Sequence, residues 1–206
     1  MNNNVIFKVD NVLIPYRIKN KCGFSNSDKT IVIPCIYDNV HWFQGDYAIV
    51  EKNSKFGIIN REGKEIVPCI YEVIDWSFSE GYAGVKKDGK WGFIDEEGKE
   101  VIQFIYDSTH CFNECYAGVE KNGKWGFINM VGKEVIPCIY DEFLDFYEDY
   151  AGVKKNGKWG FINEFGEKVI SCIYDNIFNF NFGYARVQKN CKWGYINKSG
   201  IEYWAD

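Results

Sequence analysis

Two histidines and eight cysteines are the residues of this chain whose side chains could support metal or nucleophilic chemistry. The segment from His110 through Cys111 to Cys115 places one histidine and two cysteines close together. Zinc usually takes four ligands in closely spaced pairs. The segment offers three soft ligands, and no fourth is evident elsewhere in the sequence. A cysteine or serine nucleophile would need His41 or His110 as its base, and nothing in the sequence orients either. We therefore expect no catalytic residue, no metal and no cofactor, and predict that the protein is not an enzyme.

Acidic residues and lysines recur at regular intervals. An acid follows each of five tyrosines, at Asp38, Glu72, Asp107, Asp141 and Asp175. Capping of turns explains these acids better than calcium binding, because no Asp-x-Asp-x-Asp-Gly loop is present. Two rows of lysines flank the predicted turns: Lys52, Lys87, Lys121, Lys155 and Lys189, and Lys55, Lys90, Lys124, Lys158 and Lys192. Such rows can follow a phosphate backbone, but the formal charge of −5 argues against a nucleic-acid partner and favours a solvated surface.

Irregular residues between the recurring elements are the best candidates for binding. A residue that recurs in every unit is explained by packing, whereas one that breaks the pattern is free to contact a partner. The five phenylalanines that recur in the connectors are predicted core residues: Phe43, Phe78, Phe112, Phe146 and Phe180. Around them lie irregular residues, of which we select as candidate binding residues Trp42, Trp76, Asp145, Tyr147 and Asn179. The alternative is that their rings only complete the core.

A repeat with a period near 34 residues positions all of these side chains. Its clearest mark is a Trp-Gly pair, predicted to belong to the structural core, at Trp91-Gly92, Trp125-Gly126, Trp159-Gly160 and Trp193-Gly194. Phe56-Gly57 and Cys22-Gly23 keep the phase without the tryptophan. One step is 35 residues long, because the connector near Trp76 carries an extra residue. The chain therefore holds six units, of which the first is degenerate.

The composition favours strands over helices. Aromatic residues make up 18% of the chain, and leucine occurs only twice. Asp88-Gly89, Asn122-Gly123 and Asn156-Gly157 each separate two alternating segments, which predicts type I′ hairpins. A second turn leads into a third strand, so each unit is expected to have three strands. Both faces of this sheet carry apolar residues, including Ile105, so neighbouring units must cover both faces.

The repeated strings resemble the bacterial WG-repeat family. Gly-Lys-Trp-Gly-Phe-Ile-Asn occurs at residues 123–129 and 157–163, preceded by Tyr-Ala-Gly-Val, and Gly-Lys-Glu-Val-Ile-Pro-Cys-Ile-Tyr occurs at 132–140. The resemblance covers nearly the whole chain and is weaker before residue 30. It implies a β-rich tandem repeat of variable copy number that binds a partner and has no common enzymatic activity. Cys22 and Phe56 depart from the tryptophan of the motif.

The predicted fold is all-β, with six three-stranded antiparallel β-meanders in one tandem array. An open superhelical or solenoid-like array is favoured, because a degenerate first unit suits a cap. The alternative is a closed six-bladed β-propeller with three-stranded blades. We predict a single WG-repeat domain over residues 1–206, with a capping repeat at 1–36 and clear repeats at 37–70, 71–105, 106–139, 140–173 and 174–206.

The predicted function is that of a non-enzymatic scaffold module that binds a protein or peptide through one edge or a concave face. Alternatives are glycan or cell-wall binding by the connector aromatics, nucleic-acid or anion binding along the lysines, and a purely structural array. Four cysteines share one slot, and the start Met1-Asn-Asn-Asn shows no secretory signal, so we expect free thiols and a cytoplasmic location. No apolar segment is long enough for a membrane helix, so no membrane partner is expected.

Overall fold

The computed structural model describes residues 12–75 and 78–204, which form six antiparallel β-sheets in sequence order. The predicted all-β tandem repeat is confirmed. The chain divides into two compact units, whose described residues are 12–75 with 85–88 and 78–84 with 89–204. Within the described residues, no helix has the length and apolar character needed to cross a membrane.

The first unit contains a three-stranded sheet in the order β1-β2-β3 and a four-stranded sheet in the order β4-β5-β6-β7. Their strands are β1 Ile14–Ile18, β2 Lys21–Ser25, β3 Ile31–Tyr37, β4 Asn39–Val40, β5 Tyr47–Lys52, β6 Lys55–Asn60 and β7 Glu65–Tyr71. β8 Val73–Ile74 and the end of β9 Tyr82–Lys87 also belong to this unit. Phe24, Ile33, Tyr37, Val50 and Ile59 form the buried core between the two sheets.

The second unit contains the start of β9 and all later strands. These are β10 Lys90–Asp95, β11 Glu100–Tyr106, β12 Ser108–Asn113, β13 Tyr116–Lys121, β14 Lys124–Asn129, β15 Glu134–Tyr140, β16 Glu142–Phe143, β17 Tyr150–Lys155, β18 Lys158–Asn163, β19 Lys168–Tyr174, β20 Asn176–Ile177, β21 Tyr184–Lys189, β22 Lys192–Asn197 and β23 Glu202–Trp204. The last three sheets run in the orders β12-β13-β14-β15, β16-β17-β18-β19 and β20-β21-β22-β23.

The hairpin turns have the predicted geometry. Asn122 and Gly123 both have positive φ, of 52° and 73°, as a type I′ turn requires. The turn sets the register across β13 and β14, where Val119 pairs with Gly126. Because the register is fixed locally, the sequence was sufficient to predict which residues face each other.

Five sheets contain a fourth strand, which corrects the expectation of three strands per unit. The connector after each recurring tyrosine adds a short strand to the free edge of the next hairpin; for example, Glu142 pairs with Lys154 and Phe143 with Val153. Most of these strands are only two residues long. Two residues are too few to show an alternation of apolar and polar side chains. These strands form because they pair with the edge strand of the next hairpin.

Neighbouring sheets cover both faces of the fourth sheet, as predicted. Val119 and Ile128 pack with Phe93 and Phe112 in one buried cluster. The opposite face of the same sheet contributes Phe127 to a second cluster, with Phe146, Ala151, Val153 and Ile162. The connector phenylalanine therefore lies between one sheet and the next.

The isoleucine before each recurring tyrosine is exposed, which corrects the expectation that Ile105 would be covered. Register shifts interrupt the pairing of β10 with β11, where Trp91 pairs with Tyr106 but Phe93 pairs with Ile102. The intervening residues of β11 leave the regular ladder, and Ile105 is 45% exposed. The equivalent residues behave alike: Ile36, Ile70, Ile139 and Ile173.

Candidate binding site

Tyr147 and Asn179, two of the five predicted binding residues, line one cleft of about 560 Å³ beside the last sheet. We call it the last-repeat cleft. It is lined by Tyr147, Phe178, Asn179, Phe180, Asn181, Tyr184, Arg186 and Tyr195. Two consecutive connectors supply the first five residues, and strands β21 and β22 supply the other three. The cleft combines aromatic rings, two side-chain amides and one cation.

The strands of the last sheet hold three cleft residues by cross-strand pairing. Arg186 of β21 pairs with Tyr195 of β22, which pairs in turn with Tyr203 of β23. Directly paired residues point to the same face of a sheet. Tyr184 lies two residues before Arg186 and shares that face. Tyr184, Tyr195 and Tyr203 are all about half exposed.

Arg186 is the only cation of the cleft, and its guanidinium stacks on aromatic rings. Its Cζ atom lies 4.5 Å from the ring centroid of Trp193 and 6.0 Å from that of Phe178. It makes no ion pair with any residue that the structure describes. Stacking leaves the in-plane N–H donors free to bind a carboxylate in a bidentate manner.

Asn179 contributes an unsatisfied hydrogen-bond acceptor. Its Oδ1 atom is buried, and no group in the described part of the chain donates to it. A buried polar atom without a partner is unfavourable by about 1–3 kcal/mol. Because this atom has almost no accessible surface, the connector would have to move before any ligand could donate to it.

Tyr147 breaks a hydrogen-bond pattern between consecutive connectors. Ser79 Oγ donates to the carbonyl of Phe112 at 2.7 Å, and Asn113 Nδ2 donates to that of Phe146 at 2.6 Å. Tyr147 occupies the next equivalent position, and a phenol in this place makes no such bond to the following connector. Its ring is instead 52% exposed in the cleft.

The other predicted binding residues lie elsewhere. Asp145 Oδ1 lies 3.1 Å from His110 Nδ1, so this carboxylate is already engaged. Trp42 belongs to the first unit and is 62% exposed. Trp76 lies outside the described residues. The structure thus brings together only two of the five candidates.

The recurring core candidates are placed at different depths. Phe112, Phe146 and Phe180 are buried, whereas Phe43 and Phe78 are half-buried. Among the repeat tryptophans, Trp159 is buried and the other three are half-buried, at Trp91, Trp125 and Trp193. The glycines that follow these tryptophans are buried, at Gly92, Gly126, Gly160 and Gly194.

Sequence reasoning missed Arg186 and Tyr195, although both break the repeat. Arg186 replaces the glycine that stands at Gly118 and Gly152, and Tyr195 replaces a phenylalanine such as Phe161. The search for irregular residues covered the connectors only. Applied to the strands as well, the same criterion would have identified both residues.

Cysteine and histidine side chains do not form a metal centre in the described residues. Within residues 12–75 and 78–204, no group of three His, Cys, Asp or Glu residues is close enough to hold an ion. All eight cysteines are described, and none of them forms a disulfide. In the recurring slot, Cys138 Sγ donates to the carbonyl of Val119 at 3.6 Å, so this thiol serves the contact between strands.

The recurring acids connect consecutive hairpins and form ion pairs with most lysines of the row that contains Lys90 and Lys124. Asp107 accepts a hydrogen bond from Lys90 with one carboxylate oxygen and one from the backbone N–H of Asn122, at 2.7 Å, with the other. Asp141 pairs with Lys124 in the same way. The predicted turn capping is confirmed, and the capped turn belongs to the following hairpin. Most of these lysines therefore have a carboxylate partner.

We expect these carboxylates to make the fold sensitive to acid. Hydrogen bonds from Lys90 and from the backbone of Asn122 lower the pKa of Asp107 below its ordinary value of 3.8. Because the folded-state pKa is the lower one, the stabilisation is complete above the unfolded-state pKa and is lost as the pH falls through the folded-state pKa. The free energy of unfolding in urea, measured from about pH 6 to about pH 3, should fall less for Asp107→Asn than for the wild type. Asp149→Asn, which removes an exposed carboxylate that has no ion pair among the described residues, controls for net charge. Equal acid sensitivity of wild type and Asp107→Asn would contradict the prediction.

The repeat geometry is that of a known family. The family described as WG containing repeat matches five consecutive segments, residues 23–56, 56–91, 91–125, 125–159 and 159–193. These segments cover most of the chain, so the chain belongs to this family of WG repeats. Each segment runs from the glycine or aromatic residue of one motif to that of the next.

Comparison with solved structures supports the fold alone. A structure described as the eukaryotic initiation factor has a TM-score of 0.53 and 12% sequence identity, over 95% of this chain and 61% of that chain. Hsv2 of Kluyvelomyces marxianus has a TM-score of 0.47 and 10% identity, over 76% of this chain and 57% of that one. Hsv2p of Kluyveromyces lactis has a TM-score of 0.46 and 11% identity, over 80% and 61%. This chain thus spans about three fifths of each. A search of curated proteins found no match.

Proposed function

We propose that the protein is a non-enzymatic repeat module that binds a protein or peptide partner through the last-repeat cleft. The observation that carries this proposal is the convergence there of exposed rings on one arginine, Arg186. Tyrosine and arginine are enriched among the residues that dominate binding energy in protein interfaces. The packing of the two preceding repeats does not require Arg186 and Tyr195, since Gly118 and Phe127, and then Gly152 and Phe161, fill the same two slots.

The charge distribution supports a protein or peptide over a nucleic acid. Most lysines of the row that contains Lys90 and Lys124 already face a carboxylate. A phosphate backbone would have to displace these pairs, and the net charge of the chain is negative.

Replacing Tyr147 by alanine tests the proposal. Peptides selected from a random library displayed on phage against the wild-type protein should lose roughly tenfold or more in affinity for Tyr147→Ala, because the variant removes a central exposed ring of the cleft. Phe165→Ala is the matched control, since Phe165 is 74% exposed and lies outside the cleft. Selected peptides that bind both variants equally well, or the failure to select any peptide, would exclude this cleft.

Glycan binding is the second candidate, and the exposed rings of Tyr147 and Tyr195 favour it. A pyranose ring could stack on either of them. Retention on a glycan array that is lost for Tyr147→Ala would select this alternative.

The arrangement of the six sheets as an open array or as a closed propeller also stays a prediction. The degenerate first repeat supports the open array. The likeness to the initiation-factor structure, which is propeller-like, supports the closed form. Small-angle X-ray scattering distinguishes the two by the maximum dimension of the protein. The cytoplasmic location rests on the sequence.

A further inference from the structure

We infer that the last-repeat cleft recognises a peptide that carries an acidic residue three positions before a phenylalanine. This inference rests on the proposed function and specifies the chemistry of the partner. Its basis is a comparison of the last sheet with the fifth sheet. The equivalent face of the fifth sheet is covered by the connector that follows it.

The occupied face of the fifth sheet shows where the phenylalanine of such a peptide would lie. Phe180 packs there, with its ring centroid 5.2 Å from that of Tyr150 and 4.7 Å from that of Phe161. Ile177, three residues earlier, covers Gly152: a Cβ atom on this glycine would lie 2.6 Å from Ile177 Cδ1. The connector therefore places Ile177 over Gly152 and packs the Phe180 ring against Tyr150 and Phe161.

The last sheet retains the aromatic pair but changes the glycine. Tyr184 and Tyr195 stand where the fifth sheet has Tyr150 and Phe161, and both are about half exposed. Arg186 replaces the glycine. A Cβ atom stands at Arg186 where Gly152 leaves room for Ile177 Cδ1, so a segment docked over the same aromatic pair must lie further from the sheet at this point. Its first anchor would then meet the guanidinium of Arg186. That group has no acidic partner in the described residues, so a carboxylate complements it. The ring of the second anchor would lie on Tyr184 and Tyr195.

The last sheet lacks the side chains that hold a following WG repeat, which argues against a second copy as the occupant. Glu114 accepts hydrogen bonds from the backbone N–H groups of Glu148 and Asp149 in the next connector, and Glu148 accepts one from Gly183. The next equivalent residue is Phe182, which cannot accept such a bond and is 88% exposed. The last sheet therefore lacks two contacts that join consecutive repeats. One is the hydrogen bond from the next connector to a carboxylate, and the other is the packing of an aliphatic side chain over the glycine that Arg186 replaces.

Synthetic peptides copied from residues 176–181 test the inference. Three labelled peptides are compared by fluorescence polarisation: one with aspartate in place of Ile177, one with asparagine there, and one with aspartate there and alanine in place of Phe180. The full chain should bind the aspartate peptide about tenfold more tightly than the asparagine peptide, and should lose most affinity for the alanine peptide. Arg186→Gln should bind the aspartate and asparagine peptides equally. Lys154→Gln, which removes a cation stacked on Trp159 in an interior repeat, should keep the preference.

The outcomes separate this inference from the proposed function. Equal binding of the aspartate and asparagine peptides by the wild type, or a preference that survives in Arg186→Gln, would overturn the acidic specificity. The proposed function would still stand if library peptides depend on Tyr147. No binding of any of the three peptides would overturn the inference. An Arg186-dependent dimer in sedimentation, without peptide binding, would identify a second copy as the occupant.

Discussion

Phe146→Ala is expected to destabilise the protein by about 4 kcal/mol. Phe146 is 1% exposed, and its ring centroid lies 4.6 Å from that of Tyr116 and 5.0 Å from that of Phe127. These contacts join the fourth sheet to the connector of the fifth. Truncation leaves a cavity between rigid sheets that cannot close around it. The free energy of unfolding, from urea denaturation followed by tryptophan fluorescence, measures the effect.

Tyr147→Ala is the matched control for this prediction. It removes a ring of similar size at the adjacent residue, but this ring is exposed, so the stability should change by less than about 0.5 kcal/mol. The pair separates packing from binding, because only Tyr147 is expected to contact a partner. A similar loss of stability in both variants would show that Tyr147 also belongs to the core.

Gly92→Ala is expected to destabilise the protein by about 3 kcal/mol, although it adds only one methyl group. The Cβ atom would lie 2.6 Å from the backbone oxygen of Ile102 and 3.1 Å from the backbone carbon of Gln103. Strand β11 crosses close to Gly92 at its register shift, so the third strand itself would have to move. The same close approach recurs at Gly57, where a Cβ atom would lie 2.6 Å from the oxygen of Val67. This explains why the Trp-Gly pair needs its glycine.

Gly152→Ala provides the comparison. Its Cβ atom would meet Ile177 Cδ1 at 2.6 Å and Leu144 Cδ1 at 3.1 Å, which are ends of flexible side chains, and Leu144 Cβ at 3.2 Å, which needs a shift of only a few tenths of an ångström. These can rotate away, so the expected loss is about 1 kcal/mol. Thermal unfolding of the two variants measures the difference. If Gly152→Ala were the more damaging substitution, the close backbone approach at Gly92 would not be the constraint that selects glycine.

The repeat allowed much of the local structure to be predicted without any homologue. Asn122-Gly123 specified the type I′ turn, because only a few residues adopt positive φ at both central positions. The turn then determined that Val119 faces Gly126. The fourth strand, represented by Glu142–Phe143, could not be predicted, since two residues carry no periodic signal.

The binding site could be predicted only in part. Tyr147 and Asn179 were identified because they interrupt a recurring connector, whereas Asp145 was chosen by the same rule and contacts His110 instead. A pattern along one chain does not show which irregular residues share a surface. Arg186 also interrupts the repeat, because it replaces a glycine in a strand. A single change within a strand is easily attributed to a position where the fold accepts many residues.

The all-β class, the six-fold repeat, the hairpin register and the alternation of apolar residues could be predicted from the sequence alone, because they follow from local turn chemistry and an internal period. Which side chains remain exposed to solvent depends on the packing of the sheets. Packing of one sheet on the next buries Phe146 and leaves the adjacent Tyr147 exposed, and the register shift of β11 exposes Ile105. In the last sheet Arg186 stands where Gly152 of the fifth sheet receives Ile177 of the following connector, and this relation becomes apparent only when consecutive sheets are compared in space.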